Sequence, residues 1–533
     1  MPILEIEIDR NGADFVANQQ AMLKQIDEVA AIKQKVLERS LQEKPKFVKR
    51  GKMLPHERVQ HLLDAGSPFV ELCGLAGYML HDDKDGTEAG GNMIAGIGVI
   101  NGVRCLVGAS NSAIKGGTIS PSGLRKSLRL QQIAKQNKLP MVTLAESGGA
   151  NLNYAADIFV EGARSFANQA RLSAMGLPQI TVVHGNATAG GAYQPGLSDY
   201  MVVVRNKTAM FLAGPPLLKA ATGEVATEEE LGGAAMHAQV AGTAEYLAEN
   251  DADGIRQARD IVGMLGWDKI ANTASYTEPR FPIDDILGLI PCDLRKPYDV
   301  RSIIACLVDD SNFLDFKTEF DNQTVCGWAS IGDVTIGIIG NNGPITPQGA
   351  AKASQFIQLC DQTGRPLLFL HNTTGFMVGT ESEQHGVIKH GSKMIQAVAN
   401  ARVPKLSIVI GGSYGAGNYA MCGRAYKPRF LFSYPNSKIA VMGPDQLAGV
   451  MQIIGRQAAE KSGIAYDEEQ GAQVAKFMVM EADKQSNAWY ASGQLWDDGV
   501  IDPRETRNYL KFCMEVIHNT EVKGAEGYGV FRM

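Results

Sequence analysis

Two short stretches carry the residue types that could do chemistry without a reactive side chain. Residues 188–193 read TAGGAY and residues 414–419 read YGAGNY. Each follows an apolar run opened by a proline, Pro178 in the first case and Pro404 in the second. Where a strand gives way to a helix at such a step, the first N–H groups of the helix have no internal partner. They point the same way and carry the positive end of the helix dipole. Glycine lets a ligand approach the backbone closely. The chemistry this supports is an oxyanion hole, a pair of fixed donors for charge developing on a carbonyl or enolate oxygen. We read Gly190 and Gly191 as the donors of the first corner, and Ala416 and Gly417 as those of the second.

Each corner needs a neighbour. The turn Ser147, Gly148, Gly149, Ala150 ends the preceding apolar run of the first stretch, and Thr373, Thr374, Gly375, Phe376 ends that of the second. Both turns are expected beside their corners. Ser147 lies in A-E-S-G-G, which lacks the G-x-S-x-G spacing of a nucleophile elbow, so it reads as a turn residue. No H-E-x-x-H, no C-x-x-C and no Cys/His metal spacing occurs, and no metal is expected. Ala189, Tyr193, Tyr414, Asn418 and Tyr419 are further candidates to line the two pockets, although core packing explains such residues equally well.

The elements that must position these residues repeat. Pro140 and Pro366 stand 226 residues apart, as do Pro178 and Pro404, Gly190 and Ala416, and Gly191 and Gly417. AMFLAGPP and IAVMGPDQ align after a three-residue insertion. Each copy reads strand, helix, strand, helix, strand, corner, which predicts a mostly parallel sheet with helices packed on it. FVELCGLA, MIAGIGVI and VRCLVGAS read as strands, 13–44 as polar amphipathic helix, 265–298 as linker, and 450–533 as helical with a GYGVFRM tail. The expected division is a helical extension at 1–45, a first domain at 46–275 and a second at 276–533.

The chain has 533 residues, 58 of them glycine, and a net charge of −6. It shows no basic block, which argues against nucleic acid as a partner. No apolar run is long enough to span a membrane and no secretory signal opens the chain. Its eight scattered cysteines read as free, mostly buried thiols of a cytoplasmic protein.

AESGGANL, NATAGGAY, FLAGPPLLKAATGE, HNTTGFMVG, IGGSYGAGNYAMCGRAY and LWDDGVIDP resemble the carboxyltransferase β subunit of biotin-dependent acyl-CoA carboxylases, in the methylcrotonyl-CoA and geranyl-CoA subgroup. The resemblance runs from about residue 50 to the end. It implies an α/β fold, a duplicated crotonase-like (ClpP/crotonase) β-β-α superhelix of two homologous domains. It also implies a reaction. Carboxybiotin on a partner's carrier domain donates CO2 to the carbanion of an acyl-CoA, and biotin itself takes the substrate proton. By this resemblance the first domain holds the coenzyme A thioester at Gly190 and Gly191, and the second holds the biotin ureido oxygen at Ala416 and Gly417.

The partners it implies are a biotin carboxylase and carrier α subunit, and further copies of the β subunit. A β dimer is the minimum, with a β hexamer in an α6β6 complex. No A-M-K-M biotinylation site and no ATP-binding loop occurs here. A mitochondrial matrix location would require a transit peptide removed from the chain. In the methylcrotonyl-type pattern an aromatic stands where Gly162 is; Gly162 and Ala163 would enlarge the acyl pocket toward geranyl-CoA, with 3-methylcrotonyl-CoA as the alternative. Lys115, Arg125, Lys126 and the basic loop near Arg50 are available for coenzyme A phosphates. Two other classes stay open: a stand-alone crotonase-type hydratase or decarboxylase using Glu146 as base, and a non-catalytic assembly protein.

Overall fold

A computed structural model describes residues 1–270, 276–463 and 465–524. Its contacts divide the chain into two units: a first of 30–274 with 493–495, and a second of 1–29 with 275–492 and 496–533. The polar segment expected to be helical forms α1, Ala13–Leu41.

The first sheet contains β1 (Val70–Glu71), β2 (Met93–Ile100), β3 (Val103–Ser110), β4 (Met141–Ser147), β5 (Gln179–Thr188), β6 (Tyr200–Val204), β7 (Ala209–Phe211) and β8 (Tyr246–Ala248). Its order is β1-β2-β3-β4-β5-β6-β8, with β7 paired to β5. β1, β2 and β3 are antiparallel; from β3 onward neighbours are parallel. The second sheet contains β9 (Leu314–Asp315), β10 (Thr324–Ile331), β11 (Val334–Asn341), β12 (Leu367–Thr373), β13 (Lys405–Tyr414), β14 (Phe430–Ser433) and β15 (Lys438–Ala440). Its order, β9-β10-β11-β12-β13-β14 with β15 on β13, repeats that of the first sheet from β1 to β7. The 226-residue offset relates β4 to β12 and β5 to β13 at both ends.

The longer and site-forming helices of the first unit are α2 (Pro55–Leu62), α3 (Pro121–Asn137), α4 (Ala155–Ala174), α5 (Gly190–Gly196), α6 (Pro215–Thr222) and α7 (Asp251–Met264). Those of the second include α8 (Pro347–Gln362), α9 (Val387–Asn400), α10 (Gly415–Ala420), α11 (Pro444–Lys461), α12 (Glu468–Lys484) and α13 (Thr506–Ile517). α3 and α8 start alike. Ser120 Oγ accepts from Gly123 N–H at 3.1 Å and Thr346 Oγ1 from Gly349 N–H at 2.8 Å, each followed by proline at the first helical position.

The central strands are continuous apolar runs, as parallel strands covered on both faces must be. Val142, Leu144, Ile180 and Val182 anchor one core, and Ile339, Leu367, Phe369 and Phe356 the other.

Two expectations need correction. FVELCGLA supplies only Val70 and Glu71 to the sheet, because Cys73 turns the edge chain away with φ 53°. The expected linker at 265–298 contains a short helix, Ile286–Leu289, whose Ile286 and Leu287 are buried, because ILGL is apolar enough to join a core. Residues 271–275 of that stretch and the GYGVFRM tail lie outside the described residues. Of the eight cysteines only Cys292 is exposed, and all are free. Among the described residues no helix is long and apolar enough to cross a membrane.

Candidate active site

The first corner is built by a mismatch between two strands. Ala145 of β4 stands opposite Val183 of β5, yet Ser147 stands opposite Ala187. Two steps along β4 therefore match four along β5, and this bulge re-aims the end of β5. Ala189 follows with φ 55° and ψ −121°, a conformation that L side chains disfavour. Its N–H bonds to Phe211 O at 3.0 Å, and Ala192 N–H, the next bonded donor, reaches Ala189 O at 3.1 Å. Between them, the N–H groups of Gly190 and Gly191 have no acceptor among the described residues.

The 147–150 turn lies beside these donors, as expected. A Cβ added to Gly191 would sit 3.9 Å from Gly149 Cα and Ser147 O. Ser147 Oγ donates to Gly117 O at 2.8 Å and accepts from Gly149 N–H at 3.2 Å, so the hydroxyl shapes the turn. Gly148, Ala150, Ala189 and Gly190 are exposed, which leaves the corner open to a ligand.

The second corner repeats the construction. His371 of β12 stands opposite Val409 and Thr373 opposite Ser413, the same bulge 226 residues on. Gly415, with φ 54°, takes the place of Ala189. Ala416 and Gly417 N–H have no acceptor among the described residues. Gly375 N–H bonds to Thr373 Oγ1 at 3.2 Å, as Gly149 does to Ser147. Ile345 N–H reaches Gly375 O at 2.9 Å where Ile119 N–H reaches Gly149 O at 2.8 Å. This corner is tighter: a Cβ on Gly417 would lie 2.9 Å from Gly375 Cα and 3.1 Å from Thr373 Cγ2.

Several of the expected pocket residues also have partners within the fold. Asn418 Nδ2 donates to Ser413 Oγ at 2.9 Å, and Ser413 Oγ lies 2.9 Å from His371 Nδ1. Burial pushes His371 down to about 3, so it is neutral. Tyr414 is buried, its hydroxyl pushed up to about 12 by burial and by Asp483. Phe376 is half-buried against the second core, whereas Thr374 is exposed, as is Tyr419, whose ring stands 6.1 Å from that of Tyr426.

Near the first corner, Gly162 and exposed Ala163 lie on α4, and an added Cβ on Gly162 meets nothing within 4 Å. Phe166, one turn on, was not singled out by the motifs. It lies 3.8 Å from a Cβ built on Gly190, and its ring is 5.9 Å from that of Tyr193. The helical spacing from Gly162 is the signal that points to it.

The phosphate candidates divide. Lys126 is fully buried and donates to Gly90 O and Met93 O at 3.1 and 2.7 Å, so it cannot reach a phosphate; Lys352, at the equivalent position, is buried in the same way. Lys115 is exposed but paired with Glu88 at 2.5 Å and Asp82 at 3.4 Å. Partial burial works against its charge, yet these carboxylates hold the ammonium above its usual range. Glu146 is not poised as a base. Burial disfavours its charge, but Arg58 and Lys52 outweigh this and hold the carboxylate below the usual range. Among the described residues no cluster of His, Cys, Asp or Glu could hold a metal.

Residues 46–527 match the carboxyl transferase domain family. The chain belongs to the carboxyl transferase family. This carboxyltransferase is 45% identical over 537 residues to the probable biotin-dependent acyl-coenzyme A carboxylase β2 subunit of Mycobacterium tuberculosis, covering all of both chains. It is 43% identical to the mitochondrial methylcrotonoyl-CoA carboxylase β chain of Dictyostelium discoideum, covering all of this chain and 91% of that one. It also matches the crystal structure of the P. aeruginosa geranyl-CoA carboxylase β subunit, with 60% identity, a TM-score of 0.91 and complete coverage of both chains. The carboxyltransferase thus groups with acyl-CoA carboxylase β subunits, and its fold is the duplicated crotonase-like one.

Proposed function

We propose that this carboxyltransferase moves CO2 from carboxybiotin to an enolisable branched acyl-CoA, and that the acyl-CoA is geranyl-CoA. The observation that carries the reading is the pair of corners, each offering two adjacent N–H groups without an acceptor among the described residues. Gly190 and Gly191 hold the thioester oxygen as it gains enolate charge, with Ser147, Gly148, Gly149, Ala150 and Ala189 walling that site. Fixed donors act on charge that develops in the transition state, and no side-chain nucleophile is required.

The second corner is assigned to the ureido oxygen, because Ala416 and Gly417 offer the same pair of N–H groups without an acceptor among the described residues. Bound there, carboxybiotin supplies the carboxyl group. Ala416 and Gly417 orient its oxygen, and Thr373, Thr374, Gly375, Phe376 and Tyr419 border the site, with Asn418 and Tyr414 supporting the corner from behind.

The reading assigns the acyl-CoA to the domain at 46–275 and biotin to that at 276–533. It requires a biotin-carrying α subunit and at least a β dimer, in a cytoplasmic complex, with neither nucleic acid nor membrane as a partner. The open space at Gly162 and the exposed Ala163, Phe159 and Val160 on α4 supply room and apolar surface for a ten-carbon chain. Lys115 is a further contact if Asp82 and Glu88 release it to a coenzyme A phosphate. The test is turnover of geranyl-CoA against 3-methylcrotonyl-CoA by the complex reconstituted with its biotin-carrying subunit. A strong preference for the ten-carbon thioester is expected, and a preference for the five-carbon one defeats the geranyl assignment.

A further inference from the structure

Behind the first corner lies a charged cluster that the proposed chemistry does not use. Glu146 Oε2 accepts from Arg58 Nη1 at 2.6 Å and Ser112 Oγ at 2.9 Å, and Oε1 accepts from Lys52 Nζ at 2.7 Å. Arg58 Nε continues to Asp251 Oδ2 at 3.0 Å, and Asp251 Oδ1 lies 2.9 Å from His184 Nδ1. Glu146 is 8% exposed, Arg58 1%, Asp251 3% and His184 0%. The cluster therefore joins α2, the end of β4, the middle of β5 and the start of α7.

Its location is the bulge. Glu146 falls between the ladder pairs Ala145–Val183 and Ser147–Ala187. Gly185 faces it: a Cβ there would lie 2.5 Å from Glu146 Oε1 and 2.6 Å from Lys52 Nζ. The carboxylate fills the space the bulge opens, and only glycine fits opposite. Beyond this point the two strands run directly into the 147–150 turn and the 189–191 corner.

The second unit shows the same wedge with different chemistry. Asn372 stands at the equivalent of Glu146, and a Cβ on Gly411 opposite would lie 2.3 Å from Asn372 Oδ1. The residue equivalent to His184 is Ile410. The wedge is common to both repeats, whereas the ionic bracing belongs to the first alone.

We infer that Glu146, braced by Lys52, Arg58 and Ser112, is a positioning residue for the first corner: it holds the bulge that sets the Gly190 and Gly191 N–H groups against the 147–150 turn. The inference rests on the assignment of that corner to the acyl-CoA thioester. Donors aimed at a developing charge work only in a narrow geometry, and a shift of about 1 Å costs on the order of a hundredfold in rate. A buried carboxylate held by two cations and a hydroxyl is a stiff wedge, because any movement leaves a charge unpaired.

The test is Glu146→Gln in the reconstituted complex, assayed forward with geranyl-CoA and in reverse with carboxylated geranyl-CoA and free biotin. The expected result is a fall of about ten- to a hundredfold in kcat/KM for geranyl-CoA, with KM for free biotin unchanged. A rise in the KM for free biotin of similar size indicates general loosening and overturns the inference. A change confined to free biotin overturns instead the assignment of the first corner to the thioester. Ser112→Ala guards against a variant that does not fold, since it removes one hydrogen bond to the same carboxylate. It is expected to lower kcat/KM for geranyl-CoA in the same selective way, to a smaller extent, and an unaltered value overturns the inference.

Discussion

Gly191 and Gly417 occupy equivalent places in the two repeats, yet alanine should affect them differently. At Gly191 the nearest atoms to an added Cβ are at 3.9, 3.9 and 4.0 Å, ordinary van der Waals contacts. At Gly417 they are at 2.9, 3.1 and 3.4 Å, and two of the three belong to the Gly375 backbone. A backbone atom cannot swing aside as a side chain can, so Gly417→Ala must push the 373–376 turn or the helix start. Overpacking of this kind costs about 1–3 kcal/mol. Gly191→Ala meets no such overlap, and alanine in a helix is favoured over glycine by up to about 1 kcal/mol. Its methyl nevertheless occupies the gap between the corner and the 147–150 turn, where the thioester oxygen is proposed to bind. The N–H remains, but a methyl that keeps the oxygen from it should cost about as much as losing that donor, about 10² to 10³ in kcat. The assay pairs carboxylation of geranyl-CoA by the reconstituted complex with urea unfolding of each β-subunit variant. The expected outcome is a Gly191→Ala protein that unfolds like the parent and has lost activity, beside a Gly417→Ala protein that is measurably less stable. Wild-type turnover by Gly191→Ala would falsify the placement of the thioester at this corner.

Three further outcomes follow from the same geometry. Ala189→Gly relieves a backbone strain of about 1–3 kcal/mol against a glycine entropy cost of about 0.5–1 kcal/mol; the urea midpoint should therefore rise, and a fall shows that Ala189 is not strained. Gly162→Phe fills the open space on α4, and with each lost CH2 contact worth about 0.8 kcal/mol the geranyl-CoA to 3-methylcrotonyl-CoA ratio should drop sharply; an unchanged ratio removes α4 from the acyl pocket. Asp497 is fully buried, and burial pushes its carboxyl up to about 6 despite Ser433, Ser492 and Arg424. The folded protein then binds a proton that the unfolded chain releases near pH 4, so stability falls as pH rises from about 4 to 6, by about 3 kcal/mol in all. Asp497→Asn should accordingly be more stable than the parent at pH 8 and gain little at pH 4, as read by unfolding at both values; an equal effect at both excludes a buried charge as the cause.

Much of the architecture was legible in the residues alone because a duplication leaves a numerical trace. The offset between Pro140 and Pro366 reappears in the ends of β4 and β12, in the bulges at 145–147 and 371–373, and in the buried lysines 126 and 352. Strands and corners depend on local patterns, apolar runs closed by small residues, and local patterns are readable along a chain. The adjacency of each corner to its turn was likewise readable, since consecutive parallel strands place their ends side by side.

What the chain order could not decide is where a polar side chain finds its partner. Lys126 reads as a phosphate donor until the fold buries it against two carbonyls, and Lys115 until Asp82 and Glu88 approach it. Glu146 reads as a possible base, but residues 52, 58 and 112 converge on it only through tertiary contact. Ala189 and Gly415 share one positive φ although their residue types differ, because the bulge and the following helix dictate the backbone there. The amino-acid order by itself determined the repeat, the α/β class and the two glycine corners, since these rest on near-neighbour geometry. The tertiary structure alone decided which charges pair and which donors stay unpaired, because electrostatic and hydrogen-bond energies depend on distance in space and not on separation along the chain.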